Sequence, residues 1–359
     1  MKKLSVVSYL FISILLGGGL VSCKNEEKSK QLPDTSISKK DETNRSGISL
    51  NTESTLPSND TNKQEKNSPE IITGIYQDAD SLYHLRYILE KGKTYSFNSR
   101  EINKQTVTFR DKSQSVSQES IDPISFTVLD IKNDIYTLQV SMGGKKVITK
   151  ADGKVVVFDT NGKKPENPDQ AKLWKIYRAI SNVTFTLTMD IYGNASNIKG
   201  MDAIYEKAKS TLKSELKGKE LEDFINAFKL GLNPETFKAQ FEGSIMKFPS
   251  KGLKIGEKWN SHPELKDQGY NQLVKVGDSL TEVRIQGTLP SKTDSKVVEG
   301  ITYKLSVKGT QSGKIIINNK SGWISNANFT MTITETKSAS KGDETEKVVQ
   351  KSVNNTYIN

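Results

Sequence analysis

Few residues of this chain have the types and spacing that chemistry requires. The sequence contains two histidines, His84 and His262. A serine hydrolase needs a nucleophile, a base and an orienting acid, and the sequence lacks the Gly-x-Ser-x-Gly element that would carry such a nucleophile. A zinc site would need carboxylate ligands besides the histidines, and no spacing supports one. We therefore expect no catalytic histidine and no metal.

Carboxylates and glycine-rich segments offer weaker signals. Asp190 and Glu257 each lie two residues from an aromatic side chain, and a pair of such carboxylates could act on a sugar. The segment from Gly309 to Lys314 is one residue shorter than a phosphate loop, and Ile315 replaces the Ser or Thr that such a loop requires. We expect a strand, a turn and a strand there. Asp152-Gly153 lacks the acidic series of a calcium loop and is typical of a hairpin turn. No cofactor is predicted.

Cys23, the single cysteine of the chain, has the clearest chemical role. Lys2 and Lys3 precede an apolar run, Leu4 to Leu16, and small residues follow up to Ser22, which is the organisation of an exported signal peptide. The sequence Leu-Val-Ser-Cys at its end fits the bacterial lipobox, which implies transfer of a diacylglyceryl group to the Cys23 thiol and cleavage between Ser22 and Cys23. We expect a signal peptide over residues 1–22 and a lipid anchor on Cys23.

Two alternatives for this segment stay open. Leu4 to Val21 is almost long enough for a transmembrane helix, although Gly17 to Gly19 and the short apolar run argue against a span. The other alternative is an ordinary secretory peptide in which Cys23 has no role. Because no second cysteine exists, disulfides and cysteine-based metal sites within the chain are excluded.

The segment after Cys23 has the composition of a tether. Between Lys24 and Glu70 the sequence is rich in Ser, Thr, Asn, Lys and Glu and holds few large apolar residues. Such a segment cannot bury enough apolar surface to offset its conformational entropy. The predicted domains are therefore the signal peptide (1–22), the lipidated cysteine with a disordered tether (23–72), and a single β-rich domain (73–359).

The chain is basic, with a formal net charge of +10 and a pI near 9.2. Nucleic-acid binding needs clustered Lys and Arg, but here the lysines are scattered singly, often beside Glu or Asp. We expect no nucleic-acid partner. A general attraction to anionic lipid head groups or polysaccharide stays open.

Alternating apolar and polar residues from about Ile71 onward predict half-buried strands. Turn residues between these runs favour hairpins and hence an antiparallel sheet. The predicted strands are 94–99, 105–110, 124–131, 135–142, 154–159, 183–191, 270–276, 280–288, 301–307, 313–317, 323–336 and 346–357. The predicted fold class is α+β, mostly β: a curved antiparallel sheet, half-barrel or sandwich-like, with a helical insertion at about 200–248.

Three helices are predicted within that insertion. Apolar residues between Met201 and Leu216 recur at spacings of three and four, which places them on one helical face. Leu221 to Phe228 is the second helix. Asn233-Pro234-Glu235 has the order of an N-cap, a proline at the first position and an acid in the first turn, and predicts the third. A further short helix is expected around Trp174 and Tyr177.

Four phenylalanines on these helices are candidates for a ligand site. Phe224, Phe228, Phe237 and Phe241 lie close in sequence, and a helical layer over a curved sheet could enclose an apolar cavity that they line. The alternative is a solid hydrophobic core between helices and sheet.

The two halves of the domain share one short pattern. Leu89 to Tyr95 and Leu253 to Trp259 both have the form Leu-x-x-Gly-x-x-aromatic. The pattern leaves open a duplication of two related halves.

Four stretches carry a family resemblance: Phe185 to Asp202, Phe248-Pro249, Leu253 to Trp259, and Ser321 to Ile324. With these the chain, over about 83–358, resembles an uncharacterised family of Bacteroidota-type envelope lipoproteins. The resemblance implies a cell-envelope location and a β-rich body, and it brings no catalytic residues. Lys24-Asn25-Glu26-Glu27 resembles the signal that sends some such lipoproteins to the cell surface, with Asn25 departing from it.

These observations lead to one expected function and two alternatives. The expected protein is a lipid-anchored lipoprotein of the bacterial envelope, at the outer membrane, that binds or scaffolds an envelope partner without catalysis. The first alternative is a carrier of a hydrophobic ligand or lipid in a cavity between sheet and helices. The second is a glycan-acting enzyme with two carboxylates in a cleft.

Overall fold

The computed structural model describes residues 73–181, 183–260 and 269–359 of the 359-residue chain. The predicted signal peptide (1–22), the predicted anchor at Cys23, the tether (23–72) and His262 lie outside the described residues. The predictions made for them therefore stay predictions.

The described part contains fifteen strands and four helices. The strands are β1 (Ile75–Gln77), β2 (Tyr83–Leu85), β3 (Thr94–Phe109), β4 (Lys112–Lys132), β5 (Ile135–Met142), β6 (Lys146–Ala151), β7 (Lys154–Asp159), β8 (Thr184–Asp190), β9 (Ala195–Lys199), β10 (Lys258–Trp259), β11 (Gly269–Val276), β12 (Leu280–Val298), β13 (Ile301–Asn318), β14 (Ile324–Lys341) and β15 (Glu344–Ile358). The helices are α1 (Pro168–Ile180), α2 (Asp202–Leu212), α3 (Gly218–Gly231) and α4 (Pro234–Ser244).

Thirteen of the described strands form one antiparallel sheet, and β1 pairs with β2 in a separate hairpin. The main path runs in the order β10-β11-β12-β13-β14-β15-β3-β4-β5-β8-β9, and β6 and β7 branch from β4. The sheet is open, and the helices are inserted in the middle of the chain. The predicted class, a mostly β α+β fold built on an antiparallel sheet, is confirmed.

The sheet curls strongly. Eleven strands laid flat at their usual spacing would separate the end strands by about 48 Å. Yet Phe248 N–H donates to Tyr192 O, in the turn between β8 and β9, at 2.9 Å, and Trp259 of β10 donates from Nε1 to Lys247 O, also at 2.9 Å. Lys247 and Phe248 are consecutive, with Cα atoms about 3.8 Å apart. The two ends of the path therefore meet at one short segment.

Pairing of β15 with β3 joins the two halves of the sheet. The ladder extends from Val348 opposite Phe109 to Ile358 opposite Ser99. On one side of this ladder lie β10 to β14, and on the other lie β4 to β9 with the four helices. The last strand of the chain is thus central in the sheet.

One hydrophobic core fills the concave side. It contains the buried faces of α2, α3 and α4 together with inward residues of strands from both halves, such as Leu138, Leu187, Leu273 and Ile317. Trp323, between β13 and β14, packs its ring 5.2 Å from Tyr95 and 5.7 Å from Phe126. A shared core across so many strands is possible because the sheet wraps around the helices.

Six long strands extend beyond this core and form what we call the distal arm, residues 105–116, 290–309 and 332–352. None of its described side chains is buried. Hydroxyl pairs link its strands on the outer face, as between Thr106 and Ser115 and between Thr108 and Ser113, each at 2.9 Å. Cross-strand contacts and backbone ladders, rather than burial, hold this arm together.

Capping residues set where the helices begin. Asn233 caps α4, since its side chain accepts from Thr236 N at 2.9 Å with Pro234 in the first turn; this prediction is confirmed. The expected short helix around Trp174 is longer, because Asn167 and Pro168 start it a turn and a half earlier, with Asn167 accepting from Asp169 N and Gln170 N.

Several predicted strand boundaries are wrong. β3 and β13 are each continuous where two strands were expected, and β13 passes through the expected turn at 309–313. The glycines there make room for neighbours, because a Cβ on Gly313 would lie 2.4 Å from the Cβ of Phe329. The first half of β4 was missed because its Ser- and Gln-rich sequence in the distal arm does not alternate.

Candidate functional site

A cavity of about 360 Å³ lies between the sheet and helices α3 and α4. Strands β3 and β4 form its floor, and the two helices form its roof. Its lining comprises Phe97, Ser99, Glu101, Ser120, Asp122, Ile124, Phe126, Met142, Lys145, Tyr177, Ala227, Phe228, Leu230, Gly231, Leu232, Phe237, Gln240, Phe241, Ser244 and Ile245. The volume lies within the range of small-molecule sites.

The floor of the cavity contains a fork in the sheet at Pro123. Residues 116–121 of β4 pair with β6, and residues 124–132 pair with β5. Proline has no backbone N–H to donate to a ladder, and Pro123 O instead accepts from Gly143 N at 2.8 Å. The fork brings Lys145, between β5 and β6, to the same wall as Asp122.

The roof and the inner floor are apolar. Phe237 packs edge-on against Phe185 with ring centroids 4.7 Å apart, and Phe241 lies 5.2 Å from Phe126. Phe228, 5% exposed, lines the same space. These three phenylalanines are thus together at the cavity. Phe224 does not line it and packs both against the main core and against a second cluster of Val147, Phe158 and Leu173.

The other end of the cavity is polar. Asp122 accepts from Lys145 Nζ at 2.5 Å and from Ser120 Oγ at 2.7 Å. Lys145 is the better shielded partner of the ion pair, with 12% of its side chain exposed against 33% for Asp122. Both oxygens of Asp122 are therefore engaged, and its charge is neutralised by Lys145.

Glu101 is the unusual group of this polar end. It is only partly exposed, and burial of its carboxyl, together with the nearby Asp122 charge, raises its pKa to about 7. Lys145 opposes this shift through space, and a side-chain hydrogen bond from Asn354 opposes it further. Two carboxyl groups thus share one ammonium, and Glu101 is the carboxyl that has no cation of its own.

Buried polar atoms adjoin Glu101. Thr356 is its cross-strand partner and is 3% exposed, and Asn354 is 5% exposed. Thr356 Oγ1 and Asn354 Oδ1 have no hydrogen-bond partner among the described residues. Tyr177 lies in the lining, and burial holds its pKa well above the usual range. Hydrogen-bonding capacity is therefore concentrated around a neutral or weakly charged end of the cavity.

An exposed leucine stands in the lining of the cavity. Leu230, near the end of α3, is 75% exposed. Among the described residues, most of the exposed large apolar side chains lie on strands, where partial exposure is common. A leucine this exposed on a helix that covers a cavity places apolar surface at the entrance.

The other residues that the sequence singles out lie elsewhere. His84 contacts Asp78 at 2.7 Å and stacks on Tyr76. Asp190 accepts backbone hydrogen bonds from Tyr192 and Asn194 in its own turn. Glu257 is paired with Lys251 at 2.7 Å. Each stabilises its local loop, and they do not converge on one cleft.

The described residues contain neither a cluster of metal-ligating side chains nor a membrane-spanning helix. No group of three or more His, Cys, Asp or Glu side chains in residues 73–181, 183–260 and 269–359 is placed to hold a metal ion. Within that same part of the chain, no helix is both long enough and apolar enough to cross a membrane.

Sequence reasoning missed the polar end of the cavity, although one signal was present. Tyr95, Phe97, Ser99 and Glu101 alternate along β3, and the first two are buried. Because side chains alternate along a strand, Glu101 faces the same side as Tyr95 and Phe97, which is the core side. Ionisable side chains are rarely buried there unless they are paired or have a functional role. The sequence around Lys145 did not indicate a position at the cavity, because that position depends on the fork in the sheet at Pro123.

Comparison with known proteins identifies a protein family but no activity. The profile of DUF6263, a family of unknown function, matches residues 133–324, more than half of the chain. No curated protein matches the sequence.

Solved structures show only weak similarity. A lipovitellin structure on lipid–protein interactions is 10% identical, with a TM-score of 0.36 over 76% of this chain and 25% of that chain. This chain thus spans a quarter of the lipovitellin chain. OpdQ of Pseudomonas aeruginosa is 7% identical, with a TM-score of 0.17 over 74% and 99% of the two chains. A porin mutant from Rh. blastica is 9% identical, with a TM-score of 0.16 over 73% and 99%. These scores are too low to show a shared fold.

Proposed function

Because this chain belongs to DUF6263, a family of unknown function, we propose its function from the geometry of the cavity: it binds an amphiphilic ligand between sheet and helices. The observation that carries the proposal is a cavity with an apolar inner part and a polar end. Phe228, Phe237 and Phe241 would receive a tail, and Glu101 with its neighbours would receive a head group. This is a binding function and requires no catalytic group.

Apolar tails bind such cavities because their transfer from water is favourable, at about 25 cal/mol per Å² of surface buried. Head groups are then selected by a few placed polar atoms. The exposed Leu230 supports entry of an apolar ligand, since it lowers the cost of partial exposure of the tail at the entrance.

We propose further that the body is held at the bacterial envelope, at the outer membrane, by a lipid on Cys23 and the tether 23–72. The lipobox that ends at Cys23 supports this location. A ligand-binding body on such a tether would take an amphiphile from the membrane beside it or pass one to a partner protein of the envelope. Incorporation of labelled fatty acid into the full chain, and its loss in Cys23→Ala, tests the anchor.

The ligand-binding proposal is tested by filling the cavity. Ala227 lies in the lining, and its side chain is exposed enough to accept a larger one. Ala227→Trp should occupy the entrance, whereas Ala203→Trp, on the exposed face of α2 and away from the lining, is a matched control. Native mass spectrometry of the full chain isolated from envelopes should show a bound amphiphile in the wild type and in Ala203→Trp, and none in Ala227→Trp.

Displacement of a neutral apolar fluorophore, N-phenyl-1-naphthylamine, gives a second measurement. The fluorophore should bind the wild type and Ala203→Trp equally and Ala227→Trp at least tenfold more weakly. Equal binding by all three chains, with no co-purified amphiphile, would contradict the proposal and favour a solid-core scaffold.

A further inference from the structure

The charge balance at the polar end of the cavity restricts the head group. Asp122 and Lys145 neutralise each other at 2.5 Å, and Ser120 takes the second oxygen of Asp122. Lys145 is therefore not free to bind an anionic head group. Glu101 adds a second carboxyl without a second cation.

Binding of an anionic head group at the polar end of the cavity would be unfavourable. A phosphate or carboxylate at the polar end would lie beside two carboxyl groups, and its one nearby cation already has a partner. Like charges in a partly desolvated site repel strongly. A neutral hydroxyl would be tolerated, and a cation would be attracted.

Two buried oxygen atoms without partners lie next to Glu101. Asn354 Oδ1 and Thr356 Oγ1 have no partner among the described residues, and both residues adjoin Glu101. An ammonium group has three N–H donors and no acceptor. It is therefore the head group that offers only donors to the carboxylate of Glu101, which lines the cavity.

We infer that the preferred ligand is a long-chain amphiphile with a primary amine head group, whose ammonium pairs with Glu101 at the polar end of the cavity. The inference rests on the proposed binding function and names its ligand class. The titratable groups that line the cavity are Glu101, Asp122, Lys145 and Tyr177. Of these, Tyr177 is held neutral by burial, and the Asp122–Lys145 pair carries no net charge.

Selectivity among matched tails provides the test. The full chain with Cys23→Ser cannot carry the predicted lipid, and dodecylamine, dodecanol and dodecanoate compete in it with N-phenyl-1-naphthylamine below their micellar concentrations. At pH 8.5 the amine is protonated and Glu101 is ionised. Because a hydrogen bond to a charged group is stronger than a neutral one, dodecylamine should bind about tenfold more tightly than dodecanol, and dodecanoate most weakly.

Glu101→Gln keeps the shape of the side chain and removes its charge. In this variant the affinity advantage of dodecylamine over dodecanol should vanish. If the variant does not fold, the wild type alone serves, since lowering the pH to 5.5 protonates Glu101 and should shrink the same advantage while the amine stays charged.

The outcomes separate the two proposals. Equal binding of the three probes, or tightest binding of dodecanoate, would overturn the amine inference and leave amphiphile binding standing. Displacement by none of the probes would overturn both. An advantage for dodecylamine that persists unchanged in Glu101→Gln and at pH 5.5 would show that Glu101 is not the partner of the ammonium.

Discussion

Replacement of Glu101 by Gln should change how the stability of the protein depends on pH. The carboxyl has a pKa of about 7 in the folded chain and an ordinary value of 4.5. Between these values the unfolded chain releases a proton that the folded chain keeps. The free energy of unfolding of the wild type therefore falls as pH rises from about 4.5 to 7 and does not fall further from this group above that.

The magnitude follows from the two pKa values. Each pH unit between them is worth about 1.4 kcal/mol, so ionisation of Glu101 costs the folded state about 3 kcal/mol at pH 8 relative to pH 4.5. Glutamine does not titrate. The difference in free energy of unfolding between Glu101→Gln and the wild type should therefore shift by about 3 kcal/mol in favour of the variant over this range.

Urea denaturation followed by tryptophan fluorescence measures this difference. Trp323 lies in the core and reports global unfolding. Glu344→Gln, at the exposed start of β15, is the matched control and should show no such shift. A constant difference between Glu101→Gln and the wild type at pH 4.5, 6 and 8 would refute the reasoning, because Glu101 would then bind protons equally in the folded and unfolded chains. A difference that favours the wild type as pH rises would also refute it, because Lys145 would then stabilise the carboxylate.

Three further predictions concern other parts of the fold. Lys145→Met should lower the free energy of unfolding at pH 8 by about 1–3 kcal/mol, since Asp122 loses its cation; urea denaturation against the wild type checks this. Gly322→Ala should cost at least about 2 kcal/mol, because φ is 72° and a Cβ would lie 2.1 Å from Arg86 O, whereas Gly342→Ala, at φ 58° with open space around it, should cost about 1 kcal/mol; equal losses in melting experiments would contradict the steric argument. Amide hydrogen exchange along β13 and β14 should be faster in the distal arm than beside the core, and uniform protection along each strand would show that burial does not set local stability there.

Local patterns predicted much of this fold. Alternation along β5 and β8 and the cap at Asn233 depend on residues a few positions apart, and short-range sequence signals describe such features well. Residues 112–116 of β4 and 289–298 of β12, which belong largely to the distal arm, were missed in the prediction, because none of their described side chains is buried and no alternation marks them. Gly313 was expected to form a turn, although its small size serves Phe329 on the next strand.

The candidate site was harder to predict, because distant parts of the chain build it. Phe237 and Phe241 come from a helix and Glu101 from a strand more than a hundred residues earlier. The position of Lys145 depends on the fork at Pro123, which appears only when the partners of β4 are known. Pairing partners of long strands follow from the whole sheet rather than from local composition.

The central place of β15 has a consequence for biosynthesis. Until residues 348–358 have been made, β3 lacks the neighbour that covers its free edge, and the half of the sheet that holds the cavity is exposed along one whole side. Ladders between strands so far apart in sequence form late and slowly, and an uncovered edge is a site for mispairing with other chains. A chain with this topology must therefore be kept from aggregation until β15 has formed, and a deletion that removes residues 344–358 would separate the two halves of the sheet.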